Sequence, residues 1–153
     1  MISKVVNLKA ALILFWLASV GAGFAVILKY QTTRGSEGIT PEHWPANAQI
    51  SVDSNRDTLL MFVHPQCSCT RASMEELNRI MGRFLGGVAA HVFFLKPAGV
   101  SADWTKTGLW RSAEVIPGVK VYEDMRGVQA GLFGAETSGD VLLFDTHGQL
   151  LFH

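Results

Sequence analysis

The apolar residues of this chain fall into one long unbroken stretch, followed by short apolar runs that alternate with helically spaced ones. From Ala10 to Leu28 the only polar side chain is Ser19. A run of about 20 such residues is long enough for an α-helix to cross the hydrocarbon core of a bilayer. Val20-Gly21-Ala22-Gly23 offers the small residues of a signal cleavage site, yet apolar sequence continues from Phe24 to Leu28. That continuation predicts an uncleaved anchor rather than a removable signal, whose apolar core ends near its cleavage site. Lys4 and Lys9 precede the stretch and Lys29 and Arg34 follow it, so the flanking charges set orientation only weakly.

The next segment is polar and broken. Gln31 to Gly38 is rich in Gly, Ser and Thr, and Thr40-Pro41-Glu42-His43-Trp44-Pro45 carries two prolines. The expected organisation is therefore a transmembrane helix at 1–29, a linker and lead-in segment at 30–57, and one domain at 58–153.

Within that domain the period alternates. Leu59–Val63 reads as a fully apolar strand buried on both faces. A helix follows, with Ala72, Leu77, Ile80, Met81 and Phe84 on one stripe and Gly86-Gly87 at its end. His91–Leu95 is a second strand, stopped by Pro97. Ser101 is placed to cap one helix carrying Trp104, Trp110 and Ala113, terminated near Pro117-Gly118. Val119–Tyr122 is a third strand and Asp124–Phe133 a short helix. Asp140–Phe144 and Gln149–Phe152 form a hairpin around Asp145-Thr146-His147-Gly148. Strands alternating with helices and closed by a hairpin predict an α/β domain, a mixed sheet with flanking helices.

Composition narrows the function classes. Thirteen basic residues balance thirteen acidic ones without a basic patch, so neither a nucleic-acid footprint nor a polybasic membrane surface is present. The hydrophobic content of 48% is inflated by the N-terminal stretch.

The candidate chemistry lies in His64-Pro65-Gln66-Cys67-Ser68-Cys69-Thr70-Arg71, which holds both cysteines of the chain. They fall where the first strand gives way to a helix. Unpaired backbone N–H groups and the helix dipole favour negative charge there, lowering a thiol's pKa toward the nucleophilic thiolate. A structural role is a poor explanation, because a disulfide across one intervening residue closes almost no chain. Such a small ring strains the bond, which makes it easier to reduce and more oxidising.

The surrounding residues admit two readings each. Protonated, His64 would favour a neighbouring thiolate; otherwise it is a solvent-facing residue at a strand end. Arg71 would do the same, or lie solvated on the helix surface. Cys67 and Cys69 with His64 also form a plausible trigonal set for Cu(I), a soft cation, with His91 and His147 as more distant donors. Structural zinc asks for four ligands, and a second cysteine pair is lacking. Trp104 and Trp110 are expected to anchor their helix to the sheet. Lys96 and Asp124, at strand ends, are expected as turn residues, and Glu75, Glu76 and Arg79 as a solvated helix face.

This order of elements, with cysteines after the first core strand, resembles the thioredoxin fold over about residues 58–153. The larger insert before the hairpin is similar to the membrane-anchored TlpA/ResA-like and peroxiredoxin-like branches. More narrowly, His-Pro-x-Cys-x-Cys-Thr-Arg-Ala-Ser behind an anchor resembles bacterial proteins called RedB or thioredoxin-domain proteins. Phe62 aligns with the Phe of thioredoxin's Phe-Trp-Ala-x-Trp-Cys-Gly-Pro-Cys and Cys67 with its attacking cysteine. Cys69 falls one residue short of the resolving cysteine, and Thr70 takes that slot. Ala130-Gly131-Leu132-Phe133-Gly134, Val141–Phe144 and the hairpin turn also match the family pattern.

Three positions depart from it. Gly139, after Ser138, stands where thioredoxins place the cis-proline that shapes the substrate groove. Met61 replaces the buried Asp of their proton relay. The C-terminal helix of that family is missing after the last strand: either the reading frame is truncated, leaving the domain C-terminally incomplete, or the apolar face the helix would shield needs another cover. A peroxidase role fits less well, because His64 stands where peroxiredoxins place Thr.

The resemblance implies thiol–disulfide exchange on a protein partner, with Cys67 and Cys69 reacting and His64, Thr70, Arg71, Ser138 and Gly139 around them. It implies no organic cofactor and a single-pass protein of a bacterial inner membrane facing the periplasm. The alternatives are a Cu(I)-binding protein using Cys67, Cys69 and His64, although anchored thioredoxin-fold copper chaperones space their cysteines Cys-x-x-x-Cys, and a non-catalytic docking module of a membrane complex.

Overall fold

The computed structural model describes residues 2–32, 38–84 and 86–153, with side chains from Lys9 onward in the first helix. Two compact units result, Met1–Gly35 and Ser36–His153.

The first unit is helix α1, Ile2–Thr32. Within it Lys9–Thr32 is long and apolar enough to cross a membrane. Its hydroxyls turn back onto the helix: Ser19 Oγ donates to the Phe15 carbonyl at 2.9 Å and Thr32 Oγ1 to the Leu28 carbonyl at 2.8 Å. Such bonds satisfy polar groups where no water is at hand.

The second unit runs β1 (Asp57–Val63), α2 (Thr70–Arg83), β2 (Val88–Lys96), a 3-10 turn (Ala102–Thr105), α3 (Gly108–Glu114), β3 (Val119–Met125), α4 (Val128–Phe133), β4 (Asp140–Phe144) and β5 (Leu150–Phe152). Five strands form one sheet in the order β3-β2-β1-β4-β5. β1 pairs parallel to β2, as β2 does to β3, whereas β4 is antiparallel to β1 and β5 antiparallel to β4. The predicted mixed sheet with an antiparallel hairpin is the one observed.

Strand alternation gives the sheet two apolar faces. Leu59, Met61 and Val63 of β1, with Ala90, Val92 and Phe94 of β2, meet Met74, Leu77 and Met81 of α2 and Trp110, Ala113 and Ile116 of the α3 region. Leu60, Phe62, Phe93, Leu142 and Phe144 face the other way and pack on Phe133 of α4. On the first face Val141 and Leu143 of β4 are only partly buried, and Phe152 of β5, paired with Leu143, is exposed.

Several elements differ from the sequence expectation. The buried stripe of α2 is Thr70, Met74, Leu77 and Met81, whereas Ala72 and Phe84 are exposed and Ile80 is half-buried. The single helix expected after Ser101 is two pieces, because the chain turns at Lys106 and Thr107 between the 3-10 turn and α3. Asp124 belongs to β3 instead of opening a helix, and α4 starts four residues later, at Val128. Gly134 ends α4 in the left-handed conformation, with the Ile39 backbone packed so close that no Cβ would fit.

The stretch expected as linker and lead-in contributes to the compact unit. Trp44 lies 5.1 Å edge-on to both Phe133 and Phe144. The Trp44 backbone N–H donates to the Gly148 carbonyl at 2.7 Å, its indole N–H to the Ile50 carbonyl at 3.2 Å, and Gln49 N–H donates to Gln129 Oε1 at 2.8 Å.

Candidate functional site: a disulfide at the start of α2

The parallel strands end at the same edge of the sheet, where α/β folds place their sites. β1 leaves the core at Val63, and the chain makes a tight turn in which Cys67 N–H donates to the His64 carbonyl at 3.1 Å. Cys69 is the N-cap residue of α2. Cys67 and Cys69 are joined as a disulfide, their Cα atoms 5.5 Å apart. Cys69 and Ser68 are exposed and Cys67 is half-buried.

A chain of hydroxyls ties this turn to the loop before β4. Thr70, fully buried, places its Oγ1 2.8 Å from Ser138 Oγ. Ser138 Oγ also accepts the backbone N–H of His64 at 2.8 Å. Next to it, Gly139 N–H donates to the Phe62 carbonyl at 2.7 Å. Gly139 has φ +101°, open only to glycine without strain, and a Cβ there would press on Ser73 Oγ. Thus Cys67, Cys69, His64, Thr70, Ser138 and Gly139 come together. Arg71 is exposed and lines the cleft between α2 and α3.

His64 is half-buried. Its Nδ1 accepts the Gln66 N–H at 3.3 Å, and its ring stands edge-on to Trp104, 6.3 Å between centroids. Trp104 was expected only as a packing residue; the 3-10 turn that displaces it from α3 brings it to the site. That turn is held by a polar cluster. Glu123 receives Lys96 Nζ at 2.8 Å and Thr105 Oγ1 at 2.6 Å, and Lys96 Nζ also reaches the Ala102 carbonyl. The lysine and threonine bonds hold the Glu123 carboxyl below its ordinary range. Lys96 and Asp124 are therefore strand residues with structural partners, not turn residues: Asp124, buried, accepts the N–H groups of Gln129 and Ala130 at 2.8 and 2.9 Å and so caps α4.

The other histidines lie elsewhere in the fold. His91 sits across the sheet interior with Nδ1 3.2 Å from the Tyr122 hydroxyl; burial, then the Lys120 charge, push its imidazole down to about 4. His147 belongs to the hairpin turn, where its N–H donates to Asp145 Oδ1 at 2.9 Å. Among the described residues, no three His, Cys, Asp or Glu side chains gather closely enough to hold a metal ion.

Neither a protein-family model nor a curated protein matches the chain. Solved structures do. A conserved protein of Geobacillus kaustophilus superposes with TM-score 0.60 at 15% identity, over 78% of this chain and 72% of that one. A thiol-disulfide oxidoreductase from Bacteroides fragilis superposes with TM-score 0.54 at 16% identity, over 78% and 88%. A secreted Mycobacterium tuberculosis disulfide oxidoreductase, homologous to E. coli DsbE, gives TM-score 0.51 at 11% identity, over 65% and 69%. The fold is thioredoxin-like. The order of the pairing strands, the cysteines after β1 and the loop carrying Ser138 and Gly139 accordingly occupy a thioredoxin-like frame.

Proposed function

We propose that this chain is a membrane-anchored thiol–disulfide exchange protein acting on protein thiols and disulfides outside the cytoplasm, in the periplasm. The observation that supports it best is the Cys67–Cys69 disulfide at the first turn of α2, on the sheet edge where both residues reach the surface. The polar chain Thr70–Ser138–His64 fixes that turn against the rest of the fold, so the sulfurs are presented on a rigid frame.

Cys67 aligns with the attacking cysteine of thioredoxins. Exposure supports the opposite order here, since Cys69 is the more open residue and stands at the N-cap position of the helix. A partner thiolate attacks Cys69 Sγ, the Cys67–Cys69 bond breaks, and its electron pair stays on Cys67 as a thiolate. The second partner thiol, losing its proton, attacks the partner sulfur of the mixed disulfide and releases Cys69. The partner leaves as a disulfide, and two electrons and two protons have passed to Cys67 and Cys69. The same steps reversed reduce a partner disulfide. Cys67→Ser is expected to trap partner-linked adducts through Cys69 that mass spectrometry identifies, whereas Cys69→Ser traps few. Double replacement abolishes exchange with a dithiol peptide; a parent protein that exchanges with no dithiol peptide would leave only a docking role.

A further inference from the structure

The geometry points to a side-chain pocket beside the disulfide that selects partner polypeptides with an apolar residue next to the reacting cysteine. This rests on the exchange reading above. A cavity of about 260 Å³ opens where β1 and β2 end, beneath α4 and the loop leading to β4. Phe62 and Phe93, stacked at 5.4 Å, line it with Leu95. Two small residues, Ala130 and Ala135, stand where larger side chains would fill it.

The cavity meets the disulfide turn at His64, the turn's first residue; neither cysteine lines it. Its rim includes His64 and Ser138, joined to each other by the bond from His64 N–H to Ser138 Oγ. His64 is in turn one hydrogen bond from Cys67, through its carbonyl. A partner segment held at the sulfurs in extended form turns alternate side chains to opposite sides, with successive residues about 3.3 Å apart. The proposal places a residue flanking the partner cysteine at that opening, on the His64 side of the turn. Mostly apolar walls with a few polar groups at the rim are the usual make-up of a specific pocket. The acidic side chains in the lining, Asp124 and Glu136, are unaccompanied there by Lys or Arg, which disfavours an acidic guest.

The test uses the full chain in detergent and three dithiol peptides that differ only in Leu, Gly or Asp beside the reacting cysteine, with dithiothreitol as a probe that has no side chain to place. Expected is a kcat/KM about tenfold higher for the Leu than the Gly peptide, of the size a few buried methylenes give, with the Asp peptide slowest. Ala135→Leu, which fills the cavity, brings the Leu-to-Gly ratio to about one; Ala130→Leu repeats the test from the helix side if the first variant does not fold. Equal rates for Leu and Gly peptides, with dithiothreitol oxidised normally, overturn the pocket and leave the exchange reading standing. No reaction with dithiothreitol or any peptide overturns both.

Discussion

Gly139 holds the loop opposite the cysteines by means that only glycine supplies: a left-handed φ and an N–H bonded to Phe62. Alanine there is expected to destabilise by about 1–3 kcal/mol in denaturant unfolding. Proline, the residue of thioredoxins, should cost more, because its φ is fixed near −65° and it removes the N–H that Phe62 receives. A Gly139→Pro variant as stable as the parent would show that this loop is not held as described. His91 sets a second residue-level expectation. Its folded pKa of about 4 lies below its ordinary 6.5, so the unfolded chain takes up the proton first as pH falls. Stability is then full above about pH 6.5 and declines toward pH 4, by up to about 3 kcal/mol. His91→Gln should flatten that slope in urea titrations at successive pH values; an unchanged slope would assign the acid sensitivity to other groups.

At the level of elements, α4 is six residues long, too short to persist on its own. It depends on Asp124 at its start and Phe133 against the sheet. Asp124→Ala leaves two backbone N–H groups without their acceptor and should cost about 1–3 kcal/mol in thermal unfolding; a shift near zero would mean that water replaces the carboxyl. The elements also show which signals a sequence carries. β1, β2 and the β4–β5 hairpin were legible because their apolar runs are short and bounded by turn residues. α2 was legible as a helix but its buried stripe was not: Met74 faces the core and Ala72 does not, since Thr70, at the N-terminus, faces inward to reach Ser138. The break at Lys106-Thr107 left no trace in the Trp104–Trp110 spacing. Asp124 looked like a turn residue because its partners, five and six residues ahead, are backbone groups.

For the whole molecule, the chain divides into two compact units, one with the long apolar helix and one with the thioredoxin-like sheet. An anchor predicts that the full chain stays with membranes through an alkaline carbonate wash. A periplasmic site predicts that an impermeant thiol reagent labels reduced Cys67 and Cys69 in intact spheroplasts. Release into the wash, or labelling only after lysis, would contradict the respective assignment. The extent of the folded unit was the least legible feature at this scale: two prolines marked 40–45 as a connector, yet Trp44 packs between Phe133 and Phe144. Of the site, the cysteines were visible from their spacing, while the part played by Trp104 depended on the clamp of Lys96, Thr105 and Glu123. That placement has an optical consequence. Indole emission depends on what surrounds the ring, so the fluorescence lost in Trp104→Phe isolates a label-free signal from the mouth of the site. Events at the sulfurs that move the His64 ring then become visible in a cuvette, with no dye attached.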